Sequence, residues 1–332
     1  MVPLVSVLVP NFNHARFLAQ RLDSIMGQTF RDFELIVLDD CSTDNSRAML
    51  EEYATRIPMQ LLLNEKNSGN PFLQWRRGAQ MASGKYLWIA ESDDFADPRL
   101  LATLLAQMRC RSQVGLAYCQ SNYVNDLGQV IGSWLYYTDD VDRKRWKKGF
   151  VNDGTNEVSH FLVQRNTIPN ASAVLVKRGL FLAASDGAEL HRLSGDWWTW
   201  ARVLLNSDIA FVAEPLNYFR SHSLSVRGTT KLAAGCIEDL NVKCYICSQV
   251  FVPSGIRYRA LKDSVARLWE CIGSPSLVLA EGWFEEIQRQ AKMLHWSAPF
   301  WLLWLKAKRR LKRFKVLVYF ARFVTGTRCR IS

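Results

Sequence analysis

Glu91-Ser92-Asp93-Asp94 places three carboxylates within four positions, directly after the apolar run Tyr86-Leu87-Trp88-Ile89-Ala90. Charges that close repel one another, so the arrangement is costly unless something positive sits among them. Hard oxygen donors at the end of a strand suit Mg²⁺ or Mn²⁺, which takes one or two carboxylates and fills its shell with phosphate oxygens. Asp93 or Asp94 could instead cap the helix that begins at Pro98, but three acids exceed what a cap needs.

Two further polar clusters end apolar runs: Pro10-Asn11-Phe12-Asn13 after "VSVLV", and Asp39-Asp40 after "FELIVL". Asp40 stands where the edge of a nucleotide base could bind. The following Ser42, Thr43 and Asp44 could serve the same ligand from a helix N-terminus, or simply cap that helix.

The elements that carry these clusters alternate through the first 125 residues. "LVSVLVP" reads as a buried strand, and Phe17, Leu18, Leu22, Ile25 and Met26 follow at helical spacing. "FELIVLDD", "MQLLLNE", "KYLWIAE" and "VGLAYCQSNYV" are further strands. "STDNSRAMLEEYATR", "FLQWRRGAQMAS" and a helix from Asp97-Pro98 lie between them. Near-continuous apolar strands separated by helices predict a doubly wound, mostly parallel α/β sheet covered on both faces. Ligands of such sheets bind beyond the carboxyl ends of the strands, so the three clusters should share one crevice. Past about residue 130 the alternation breaks. "DRKRWKKGFVNDGTNEV" reads as an exposed connection, "NASAVLVKRGLF" as a strand entering a helix, and "IAFVAEPLNYFR" as another strand.

Composition narrows the function classes. Ten Lys and Arg and no acid lie from Lys306 onward, which leaves the preceding 305 residues with +1 of the formal +11. The basic character is a tail property, so nucleic-acid binding by the body is not expected. The tail, "APFWLLWLKAKRRLKRFKVLVYFARFV", has apolar runs too short for a span of ~20 residues. It suits an interfacial helix on an anionic membrane, or a basic helix packed on the protein. The eight cysteines show no disulfide framework, and Cys244-x-x-Cys247, without a second pair, reads as two residues one helical turn apart. The N-terminus lacks the basic segment of a signal peptide and reads as a strand.

"VSVLVPNFNHARFLAQRLDSIMGQTFRDFELIVLDDCSTDNS", with "NSGNPFLQWRRGAQMASGKYLWIAESDDFADP", closely resembles the inverting family 2 glycosyltransferases of the GT-A fold, specifically bacterial members of "WIAESDD" type. The likeness resumes more weakly at "GDWWTWARVLLNSDIAFVAEPLNYFRSHSLS". It implies a nucleoside-diphosphate sugar as donor, a hydroxyl of a saccharide or lipid-linked acceptor in cell-surface polysaccharide synthesis, and Mg²⁺ or Mn²⁺ as cofactor. It implies donor-binding roles for Pro10, Asn11, Asn13, Asp39, Asp40 and Asp93, with Arg76 and Arg77 as secondary candidates. Asp94, Glu91 and His222 are implied at the metal, Glu91 standing where the motif commonly has Asp. Asp196, which precedes a Trp at a helix start, matches the general base, though by itself it could be a helix cap. The other histidines, His14 among them, lack such a context.

The organisation expected is a nucleotide-sugar half over 1–125, an acceptor half over 126–230, a helical region over 231–294 and the basic tail over 295–332. With its tail, such an enzyme is expected in the cytoplasm at the inner face of the membrane. Two rivals stand beside it: a non-catalytic scaffold of the same fold, and a sugar nucleotidyltransferase, whose Gly-rich phosphate loop "VPNFNHARF" lacks.

Overall fold

The structure is a computed structural model that describes residues 2–222, 232–271, 289–292 and 294. The chain divides into two compact units, residues 1–229 and 230–332.

In the first unit, β1 (Val5–Asn11), β2 (Phe33–Asp39), β3 (Gln60–Leu63) and β4 (Tyr86–Ile89) run parallel in the order β3-β2-β1-β4. All seven residues of β1 are buried, because both faces of the sheet are covered. Val5, Val7 and Val9 share a core with Leu18, Leu22 and Ile25 of α1 (Ala15–Met26) and with Leu101, Leu104 and Leu105 of α4 (Leu100–Cys110). Leu8, on the opposite face, lies under α3 (Pro71–Met81), where a Cβ on Gly78 would sit 3.2 Å from the Leu8 side chain and 3.1 Å from that of Leu38. A larger residue at 78 would lift α3 from the sheet. Asn70 caps α3, accepting from the Phe72 amide at 2.9 Å, and Pro71 fits the first helical position.

The sheet continues from β4 through β9 (Val174–Lys177), β6 (Val114–Val124) and β10 (Asp208–Arg220) to β5 (Phe95–Ala96). β9 is antiparallel to both β4 and β6, so a strand from the later half of the unit is wedged between two that precede it in sequence. The mostly parallel sheet is as expected; this insertion is not encoded by any local pattern. β7 (Val130–Ser133) adds to β6, and β8 (Phe150–Asn152) adds to β10.

The charge run at 142–148 is not simply a solvated connection. Trp146 is buried, and the Arg145 guanidinium lies 3.7 Å from the ring centre of Phe150 and 3.9 Å from that of Phe161 while pairing with Glu157 at 2.5 Å. α2 (Ser46–Ala54), α5 (Gly154–Glu157), α6 (Arg178–Ala184) and α7 (Gly195–Leu204) are further helices among the described residues of this unit.

The second unit contains α8 (Leu232–Gln249) and α9 (Ser254–Cys271). Lys243 of α8 is buried and donates to Asp263 at 3.0 Å and Ser264 at 2.8 Å of α9, an internal ion pair joining the two helices. Cys244 and Cys247 lie on α8 and form no disulfide among the described residues, and the Cys244 thiol donates to the Gln290 carbonyl at 3.2 Å. No helix among the described residues is long and apolar enough to cross a membrane, and the expected interfacial tail at 295–332 lies outside the described residues.

Candidate active site

β1 and β2 end side by side, with Asn11 opposite Asp39, and the Asp40 amide donates to the Asn11 carbonyl at 2.8 Å. The two neighbouring aspartates then do different work. Asp39 is buried: its carboxylate accepts from Asn11 Nδ2 at 2.8 Å, from the Ser42 amide at 3.0 Å and hydroxyl at 2.5 Å, and from Arg47 Nε at 3.2 Å. These bonds close the turn after β2. Asp40 faces the crevice and accepts from Asn64 Nδ2 at 2.7 Å, the Ser68 amide at 2.9 Å and hydroxyl at 2.7 Å, and Gln74 Nε2 at 2.9 Å.

Asn13 also serves the scaffold. It adopts φ +57°, in the left-handed region that Asn tolerates, and its Oδ1 accepts from the Thr43 amide at 2.7 Å. Asp44 accepts from the Ala15 amide at 2.9 Å and the Ser46 amide at 2.9 Å, tying the starts of α1 and α2 together. The Ser42-Thr43-Asp44 segment is thus occupied in closing and capping.

The third cluster leaves β4 under electrostatic strain. Burial, then the charges of Asp93 and Asp94, push the Glu91 carboxyl up to about 8. Its Oε1 accepts from Trp75 Nε1 at 2.7 Å. Burial and the adjacent Asp93 raise Asp94 to about 7; its Oδ1 accepts from the Arg220 amide at 2.9 Å. Asp93 goes the other way, because the hydrogen bond from His222 and the charges of His14 and His222 outweigh its burial.

Two buried arginines brace this turn. Arg21 of α1 donates Nε to the Glu91 carbonyl at 2.8 Å, while its Nη1 and Nη2 have no hydrogen-bond partner. Burial lowers its pKa to about 10 against the raising pull of Asp94, Asp93 and Glu91. Arg220 donates to the Asp93 carbonyl at 2.8 Å and to the carbonyls of Asn125 at 2.9 Å and Asp126 at 2.7 Å.

The described residues around a cleft of about 220 Å³ include Pro10, Asn11, Asp40, Glu91 and Asp93, and also Phe12, His14, Asn70, Gln74 and Arg192. The sequence reading missed the second set. The signal for Gln74 and Asn70 was their place in "NSGNPFLQ", one helical turn apart at the start of α3. Asn13, Asp39 and Asp94 are not among the described residues that line the cleft and are held in the bonds described above. Arg76 pairs with the exposed Asp186 at 2.7 Å, and Arg77 donates to Asn64 Oδ1.

His222 Nε2 donates to Asp93 Oδ2 at 2.9 Å, and one donor atom each from His14, Asp93 and His222 falls within 4.8 Å of the others. Two imidazoles and a carboxylate converging at the end of a cleft fit a divalent ion. Glu91 and Asp94 do not belong to that cluster, since their carboxylates are directed to Trp75 and the Arg220 amide.

Asp196 lies in the first turn of α7, beyond the cap position at Ser194. Its Oδ2 accepts from Asn166 Nδ2 at 2.9 Å and its Oδ1 from the Trp197 amide at 2.7 Å. The loop that holds Asn166 also carries Ser172, whose hydroxyl accepts from the Glu91 amide at 3.1 Å and whose carbonyl accepts from Trp88 Nε1 at 2.8 Å. Trp200 of α7 stacks on Trp75 at 6.3 Å between ring centres, and Trp75 in turn holds Glu91. One loop and one aromatic pair therefore fasten the Asp196 helix to the acidic turn.

The family model described as "Glycosyl transferase family 2" matches residues 6–177, which take in β1 through β9 and all three strand-end clusters. The chain belongs to that family. As a member it is a glycosyltransferase, and the nucleotidyltransferase alternative falls away. Glycosyltransferase GlyG of Streptococcus pneumoniae is 24% identical over 237 residues, covering 69% of this chain and 74% of that protein. Poly(ribitol-phosphate) beta-N-acetylglucosaminyltransferase TarS of Staphylococcus aureus is 32% identical over 98 residues, 29% of this chain and 17% of that protein. The crystal structure of TarS 1-349 in complex with UDP-GlcNAc matches this fold with a TM-score of 0.66 at 14% identity, covering 99% of this chain and 94% of that one. Mannosyltransferase PcManGT of Pyrobaculum calidifontis, in complex with GDP-Man and Mn²⁺, matches with a TM-score of 0.52 at 17% identity, over 93% and 87% of the two chains. Both likenesses establish the GT-A architecture.

Proposed function

We propose that this protein is an inverting, metal-dependent glycosyltransferase that moves a sugar from a nucleoside-diphosphate donor to a hydroxyl of a saccharide or lipid-linked acceptor in cell-surface polysaccharide synthesis. The observation that carries the reading is the convergence of Asn11, Asp40 and Asp93, from three parallel strand ends, on one cleft. TarS, crystallised with UDP-GlcNAc, and PcManGT, with GDP-Man and Mn²⁺, give the donor class its support.

In this reading Asp40, held by Asn64, Ser68 and Gln74, presents a fixed acceptor edge to the nucleotide base. Asn11 and Gln74 line the same wall, and each has a buried side-chain oxygen without a partner, available to a ligand donor. Asp93 and His222 would hold a divalent ion, which when bound supplies positive charge against the leaving diphosphate. Asp196 takes the proton from the acceptor hydroxyl as its oxygen bonds the anomeric carbon and the sugar–diphosphate bond breaks with its electron pair on phosphate oxygen. Attack from the face opposite the leaving group inverts the configuration. Asn166 acts as a positioning residue by fixing the Asp196 carboxylate. The enzyme would work in the cytoplasm, where nucleotide sugars are made, with the basic tail at the inner membrane face.

The test is Asp196→Asn, followed by donor calorimetry and by transfer with the product anomer read by NMR. The variant should bind donor as the parent does and lose turnover by about 10²–10⁴-fold, the usual worth of a general base. Unchanged transfer would remove Asp196 from the role, and a product with retained configuration would remove inversion.

A further inference from the structure

We propose that His14 is a metal ligand, and that His14, Asp93 and His222 together form a two-imidazole, one-carboxylate site that selects a first-row transition ion such as Mn²⁺ over Mg²⁺. The inference rests on the metal-dependent reading above and departs from the set of Asp94, Glu91 and His222 that the family resemblance implied: His222 stays, and Asp93 and His14 take the places of the other two.

Three observations carry it. The donor atoms of the three residues lie within 4.8 Å of one another, and the rings of His14 and His222 meet edge to face with centroids 5.2 Å apart. Two bonds of about 2.1 Å at a right angle separate their donors by about 3 Å, and His222 Nε2 and Asp93 Oδ2 are 2.9 Å apart, ready to be neighbouring ligands. His14 Nδ1 lies 2.8 Å from the Ser92 hydroxyl. A hydrogen bond there fixes the ring and leaves Nε2 to bind, the arrangement by which ligating histidines are commonly oriented. Nitrogen donors favour transition ions, whereas Mg²⁺ prefers oxygen and keeps its waters. Three protein donors leave open positions for diphosphate oxygens.

The experiment titrates Mn²⁺ alone into the full chain, following the free-ion EPR signal, and then records nitrogen couplings of the bound ion by pulsed EPR with and without ¹⁵N-histidine labelling. One bound Mn²⁺ with two coupled imidazole nitrogens is expected, resistant to a hundredfold excess of Mg²⁺. His14→Ala should bind at least tenfold more weakly and show one coupled imidazole, with His14→Gln as a second variant should the first fold poorly. Fewer than two imidazoles in the parent, or displacement by equimolar Mg²⁺, overturns the proposal. A separate titration with UDP-sugars in EDTA and in Mn²⁺ distinguishes the two readings. Two imidazoles on Mn²⁺ without nucleotide-sugar binding would sink the transferase reading and leave this one, and nucleotide binding without two imidazoles would do the reverse.

Discussion

Two acidic turns face the same cleft, and the protein treats them oppositely. After β2, Asp39 and Asp40 are met by neutral donors and one arginine: between them they accept from Asn11, Ser42, Arg47, Asn64, Ser68 and Gln74. After β4, Glu91 and Asp94 are held well above the ordinary carboxylate range by burial and mutual repulsion, with two arginines packed beneath. A satisfied network is rigid and suits recognition of an uncharged base edge. The crowded, buried Glu91 and Asp94 are pushed toward their neutral forms, which leaves Asp93 as the ionised carboxylate beside His14 and His222. Similar residue types thus make a template on one side and a cation trap on the other.

Arg21→Met attacks the second turn hardest. Removing a buried cation from beside three carboxylates should cost about 3–5 kcal/mol at pH 8, read as a lowered urea midpoint. The loss should shrink toward pH 5, where Glu91 and Asp94 are neutral. A pH-independent loss would mean that Arg21 contributes packing alone.

Next comes Glu91→Gln in metal-free protein. The folded pKa of about 8 lies above the unassociated value of 4.5, so the stability linked to the neutral carboxyl is present below 4.5 and is lost as pH rises through about 8. The variant should show a flatter decline over that window in urea unfolding, and an unchanged slope would contradict the strain assigned to this turn. Ser68→Ala tests the first turn more gently. It removes the hydroxyl bond to Asp40 and should cost about 1 kcal/mol, with weaker nucleotide binding in calorimetry. Arg76→Ala, which breaks only the surface pair with Asp186, should change stability by less than about 0.5 kcal/mol and leave transfer intact.

The same contrast explains what could be read from sequence. The strands ending in Asn11, Asp39 and Ile89 are continuous apolar runs, so the sheet and its polar ends were legible from local pattern. Arg21 left a signal that was overlooked, a charged residue beside Leu18, Leu22 and Ile25 on the apolar stripe of α1. Asp40 was the member of the pair read at the base edge, but the groups that hold it, Asn64 and Ser68, follow β3 and left no local signal. His14 followed a recognised cluster directly, but its partner His222 is 208 positions away and meets it only through the sheet. The support of Asp196 by Asn166 and by the Trp200–Trp75 stack is likewise tertiary, and periodicity carries no trace of it.

The most direct test of the account is calorimetric binding of a panel of UDP- and GDP-sugars to the full chain in Mn²⁺, repeated with Asp93→Asn and with Asp40→Ala. The account predicts that at least one nucleotide sugar binds the parent and that each variant weakens it at least tenfold, Asp93→Asn losing the Mn²⁺ dependence and Asp40→Ala retaining it. Absence of binding to every donor, or binding that neither substitution alters, would contradict the assignment of this cleft.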